Sequence, residues 1–286
     1  MARLLLKIVV KALDFIVSRL NARNIYFGLN LLASILASLR VSKFVRVNHD
    51  GTDWIYRWGK TGAVQPVPNY DPNSNLADID LFFFDYFPKT GDLIVNLGLE
   101  NGSEIPSFCD SVGPNGHVFG IEADPACYRR LRKLKDILQL ENLTLICSAA
   151  GAYEGEVAFS QNQTSNANRV MPLDGSFLSS ILVRQDTLQQ LLLPYGITEV
   201  DYAKVNIEGA ESEVLRGILG SKLKVKNWCI SCHDFIGIET RTYEYVRSWL
   251  SDANYMIKTY QPQQLTTPWR NYYLYGSIRN RSGILD

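Results

Sequence analysis

DYAKVNIEGAE, residues 201–211, is the stretch on which the reading of the fold turns. Ala203, Val205 and Ile207 are interleaved with Lys204, Asn206 and Glu208, and the run stops at Gly209 before a helix-forming series from Ala210 to Leu219. A strand that ends in polar groups and turns through glycine into a helix is where open α/β sheets place ligands, outside the carboxyl ends of their strands. The stretch therefore predicts a sheet of that kind and a site on its rim.

Outward from it the same rhythm repeats. LIVNLG (93–98), HVFGIEA (117–123), LTLICSA (143–149), 157–160, NWCISCH (227–233), 256–260 and 271–278 read as strands, and 103–109, 126–140, 187–193, 210–219 and 240–252 read as helices. Strands alternating with helices of about 10–15 residues imply an α/β fold: a mostly parallel sheet with helices on both faces. The loop between the last two strands has no room for a crossover helix, so those strands should pair antiparallel.

The first strand-to-helix turn is VNLGLENGSE, with Gly98 and Gly102 four apart and Glu122 at the tip of the next strand. Glycines let backbone approach a nucleoside ligand, the helix amino end offers free N–H groups, and an acid on the second strand can accept ribose hydroxyls. A dinucleotide fingerprint would place a glycine where Glu100 stands, and that carboxylate would oppose a pyrophosphate. The acidic turn suits a zwitterionic or cationic ligand better than a nicotinamide dinucleotide.

LIVNLGLENGSE, HVFGIEADP, LTLICSAAGAYEGEVAF, VRQDTLQQLL and DYAKVNIEGAESEVLRGI occur in an order that resembles the FkbM-type family of S-adenosylmethionine-dependent methyltransferases, over about residues 85–280. The most diagnostic pieces are Lys-x-Asn-x-Glu-Gly-x-Glu at 204–211 and Ala-Ala-Gly at 149–151 with Gly155 beyond. The resemblance implies a class I, Rossmann-like fold of seven strands with the last antiparallel, S-adenosyl-L-methionine as cofactor, and O-methylation of a sugar, glycolipid or secondary metabolite. It further implies that Gly98 and Gly102 pass the methionine part, that Glu122 holds the ribose hydroxyls, and that Ser148 and Ala149 flank the adenine.

Two positions depart from the family pattern, which usually has Asp where Asn96 and Asn206 stand. Each Asn keeps an acceptor oxygen and loses the charge, and charge-assisted hydrogen bonds are roughly twice as strong as neutral ones. Glu100 is the candidate compensator, supplying a carboxylate near the methionine amine. The departures also motivate a second reading, a cofactor-binding scaffold that has lost turnover; a third, an NAD-dependent oxidoreductase, is weakened by Glu100. Proton removal from an acceptor hydroxyl needs a base on this rim. His233, closing the strand after the opening stretch, is the first candidate, with Glu208 and Asp234 as alternatives. No triplet of residues has convincing metal-ligand spacing.

CISCH, residues 229–233, matches a haem-attachment pattern literally. It lies inside an apolar strand, where haem could not be seated without breaking the sheet. Five scattered cysteines suit a reducing, cytoplasmic compartment. The net charge is zero, which argues against a nucleic-acid partner, yet residues 1–46 alone carry +7 and the remainder −7. Within that basic segment Arg3, Lys7, Lys11, Asp14 and Ser18 fall on one helical stripe, and a second run, 25–39, repeats the theme with Asn30, Ser34 and Ser38. Neither run is long enough to span a bilayer. A wide apolar face with a cationic stripe fits peripheral attachment to the cytoplasmic face of a membrane through residues 1–40, or else packing on the domain or in a homodimer. The expected organisation is a basic helical extension (1–46), an aromatic, turn-rich cap or linker (47–90) and a methyltransferase domain (91–286).

Overall fold

The computed structural model of the protein describes residues 26–68, 79–160, 170–171, 180–260 and 268–278. The helix expected over 1–20 lies outside the described residues, as does most of the polar loop expected at 161–172. The chain divides into two compact units: residues 1–79 with 101–106 and 129–140, and residues 80–100, 107–128 and 141–286.

In the first unit a helix, α1 (Tyr26–Val41), is followed by three antiparallel strands, β1 (Arg46–His49), β2 (Trp54–Trp58) and β3 (Thr61–Gln65), paired in that order. Trp54, Tyr56, Trp58 and Ala63 bury against Val45, Val47, Leu29 and Ala37. The boundary expected near residue 46 thus falls inside one core, and the start of the expected linker is a sheet. The polar stripe of α1 has a task the periodicity did not disclose. β1 is an edge strand whose outward N–H groups need acceptors. Val45 N donates to Ser38 Oγ (2.9 Å), Val47 N to Ser34 Oγ (2.8 Å) and His49 N to Asn30 Oδ1 (3.0 Å).

The second unit begins with one helical turn, α2 (Ile79–Phe82), and then alternates. Its elements are β4 (Leu93–Leu97), α3 (Ile105–Val112), β5 (His117–Glu122), α4 (Pro125–Leu138), β6 (Leu143–Cys147), β7 (Ala149–Ala150), β8 (Gly155–Ser160), β9 (Val170–Met171) and β10 (Ser180–Asp186). There follow α5 (Leu188–Leu192), β11 (Glu199–Val205), α6 (Glu211–Ile218), β12 (Lys224–Ser231), α7 (Tyr243–Asp252), β13 (Tyr255–Thr259) and β14 (Tyr273–Ile278). Parts of α3 and α4 are counted with the first unit.

Seven strands form one sheet in the order β13-β14-β12-β11-β4-β5-β6. Every pairing is parallel except the two made by β14, the last strand, which is antiparallel to both neighbours. This is the class I methyltransferase arrangement. Strands buried on both faces read as apolar runs, and Val95, Leu97, Phe119 and Ile121 join Leu188, Leu215, Val246 and Leu250 of the helices in one core. Full burial of each such side chain contributes about 1.5–3 kcal/mol. Phe82 is buried against Phe108 and Tyr273, and the hydroxyls of Tyr202 and Tyr275 donate to the carbonyls of Phe82 and Leu81. A second sheet, β7-β10-β8-β9, was not expected, because pairings such as Gln185 with Ala149 join segments too far apart for periodicity to reveal. No helix among the described residues is long and apolar enough to cross a membrane.

Candidate functional site

Two turns on the carboxyl rim of the large sheet, after β4 and after β11, carry most of the candidate residues. Gly98 leaves β4 with a left-handed φ of 74°. A Cβ there would stand 1.9 Å from the carbonyl oxygen of Asn206, so only glycine lets the two strand ends close. The closure is completed by Asn206 N donating to Leu97 O (3.1 Å) and by Lys204 Nζ reaching Gly98 O (2.7 Å). Lys204 is a buried lysine near the end of β11, and the sequence reading gave it no role. Asn96, fully buried, is its register partner on β4.

Glu122 locks the first turn from β5. Its Oε2 accepts Leu99 N and Glu100 N, both at 3.0 Å, and its Oε1 accepts Asp124 N at 2.8 Å. Burial pushes this carboxyl above its ordinary value against the pull of those three donors, and Asp124 adds to the rise. Two lone pairs per oxygen leave Oε1 room for a hydroxyl donor. Glu100 takes a left-handed φ of 51°, a conformation that costs a non-glycine residue about 1–2 kcal/mol. Gly102 serves packing: a Cβ there would meet Leu131 at 2.5 Å and Ile105 at 3.0 Å. Ser148 and Ala149 are both buried; Ser148 N donates to Glu122 O, and its hydroxyl lies 3.1 Å from the carbonyls of Ala149 and Arg184.

The second turn is held by charge. Glu208 has φ 55° and Gly209 φ 102°. Glu211, the first residue of α6 and fully buried, accepts His233 Nδ1 (2.7 Å) and Gly209 N (3.1 Å) on Oε1, and the Thr242 hydroxyl (2.8 Å) on Oε2. His233 Nε2 lies 3.4 Å from Glu208 Oε1. Burial alone would depress the His233 pKa, but the two carboxylates outweigh it and hold the imidazole at about 9. At neutral pH this favours the protonated imidazole, with Nδ1 facing Glu211 and Nε2 facing Glu208. Asp234 is also committed: its Oδ1 accepts Thr242 N and Tyr243 N at the start of α7. Glu208 has its carboxylate partly open to solvent, at 21% exposure, and pairs with His233 at 3.4 Å. Sequence reasoning missed Glu211, since an acid in the first turn of a helix ordinarily reads as a partner of the helix dipole.

Of the CISCH cysteines, Cys229 lies in β12 and Cys232 follows its last residue. Cys229 and Cys232 are buried, and burial pushes the Cys229 thiol up to about 12. Among the described residues no group of three His, Cys, Asp or Glu is placed to hold a metal ion. The donor set fits a cationic, hydroxyl-bearing nucleoside: Glu100, Glu122 and Asp124 cluster where β4 and β5 end.

Residues 92–257 match the family model described as the methyltransferase FkbM domain. No curated protein matches the chain. Among solved structures it is similar to a methyltransferase FkbM from Methylobacillus flagellatus KT, at 18% identity and TM-score 0.47, covering 69% of this chain and 47% of that one. It is also similar to Aeropyrum pernix fibrillarin in complex with natively bound S-adenosyl-L-methionine (14%, TM-score 0.43, 81% and 97% covered). A third is a SAM-dependent O-methyltransferase from Thermotoga maritima (14%, TM-score 0.40, 74% and 67% covered). The chain spans less than half the length of the Methylobacillus protein.

Proposed function

The chain belongs to the FkbM family of methyltransferases, and we propose that it methylates a hydroxyl oxygen of a sugar, glycolipid or secondary metabolite. The observation that carries this reading is the pair Glu100 and Glu208, two non-glycine residues held in left-handed backbone at the ends of the adjacent strands β4 and β11. Strain of this kind persists where the surrounding structure over-determines it, and it clusters at ligand sites.

S-adenosylmethionine is the methyl donor, and when bound it supplies an electrophilic methyl group on a sulfonium. Glu122 would accept the ribose hydroxyls through the free lone pairs of its carboxylate, and Glu100 would face the ammonium in place of the acids that Asn96 and Asn206 lack. Glu208 would accept the hydrogen bond of the acceptor hydroxyl, align its oxygen for in-line attack and take up the proton released as the O–methyl bond forms. His233 and Glu211 hold Glu208 in that orientation.

The test is methyl transfer to a panel of glycan and glycolipid acceptors, with S-adenosylhomocysteine affinity measured by calorimetry. Binding without transfer to any acceptor would favour the scaffold reading that Asn96 and Asn206 motivate. No binding would remove the proposal.

A further inference from the structure

The α1 helix carries two parallel series one residue apart, Asn30, Ser34, Ser38 and Leu31, Ile35, Leu39. The first series bonds the edge of β1. The second therefore cannot turn inward with it, and Leu31, Ile35 and Leu39 stand 59%, 48% and 60% exposed, continued by Phe44 at 79% just beyond the helix. Contiguous apolar side chains in solvent mark a docking surface more often than chance placement does.

Charge identifies the occupant. Lys43 and Arg46 are exposed and flank Phe44 in sequence, and no carboxylate occurs in the sequence between Asp14 and Asp50. We propose that this face seats on an anionic lipid surface, with the leucines, Ile35 and Phe44 entering the headgroup boundary and Lys43 and Arg46 pairing with lipid phosphates. A second copy fits less well, because a two-fold contact sets the same basic residues against themselves. Residues 1–25 bring a further excess of positive charge, which adds to the attraction of the chain for an anionic surface. The inference is independent of the reaction catalysed.

The experiment is flotation of the full chain with phosphatidylcholine vesicles and with vesicles containing about one-third phosphatidylglycerol. The wild type should float with the anionic vesicles alone and be released by high salt. Ile35→Ser with Leu39→Ser, and separately Lys43→Glu with Arg46→Glu, should each reduce the bound fraction roughly tenfold. Both substitution sets lie at exposed positions, and circular dichroism confirms that each variant is folded. Absence of flotation by the wild type, or flotation of both variants to the same extent as the wild type, would overturn the proposal. So would a concentration-dependent dimer in sedimentation that Ile35→Ser with Leu39→Ser abolishes, since a second copy would then cover the stripe.

Discussion

The turns after β4 and β11 sit on adjacent strands, and opposite means hold them. The first is clasped by backbone N–H groups converging on one carboxylate, Glu122, and by a glycine that admits the neighbouring strand. The second is clasped by an imidazolium between two carboxylates. A clasp of backbone donors does not loosen as pH rises, whereas one that depends on a histidine proton does. The first turn is suited to a fixed cofactor cradle and the second to positioning a group that handles a proton.

Gly98→Ala should have the largest effect. Its Cβ would collide with backbone rather than with a movable side chain, at a φ that disfavours any Cβ, so denaturant unfolding should report a loss of at least about 3 kcal/mol or no folded protein. A near-neutral result would show that the first turn is not locked as described. Glu211→Gln should follow, at about 3 kcal/mol, because it leaves a buried imidazolium short of its nearest counter-charge.

The third prediction sets the turns apart by pH. The His233 pKa is raised from 6.5 to about 9 on folding, so the folded state holds this proton more tightly than the unfolded chain. Its stabilisation is complete below about 6.5 and is lost as pH rises through about 9, for a total of about 3 kcal/mol. His233→Gln should flatten unfolding free energy against pH across that window, and an unchanged slope would remove the imidazolium from the second turn. Smallest is Glu100→Gln, expected to weaken S-adenosylhomocysteine binding about five- to thirtyfold, the equivalent of roughly 1–2 kcal/mol. No loss there would break the compensation argument for Asn96.

The parallel sheet was legible because strand ends at Gly98, Glu122 and Gly209 punctuate apolar runs. The antiparallel last strand was legible because its preceding loop is too short for a crossover. Glu122 and Glu208 were visible as acids where strands stop. The role of Glu211 was hidden, because its partners His233 and Thr242 lie 22 and 31 residues away in sequence. The charge state of His233 was hidden for the same reason: burial and two distant carboxylates set it. In α1 the period showed a polar stripe but not what it faced, since water and an edge strand ask for the same residue types.

On the proposed function, Glu208 faces the acceptor hydroxyl on the rim that these two turns build. Turnover of Glu208→Gln measured beside its S-adenosylhomocysteine affinity tests this most directly. The expected result is a fall in kcat of about 10²–10³-fold with cofactor affinity unchanged. Wild-type turnover in that variant would contradict it.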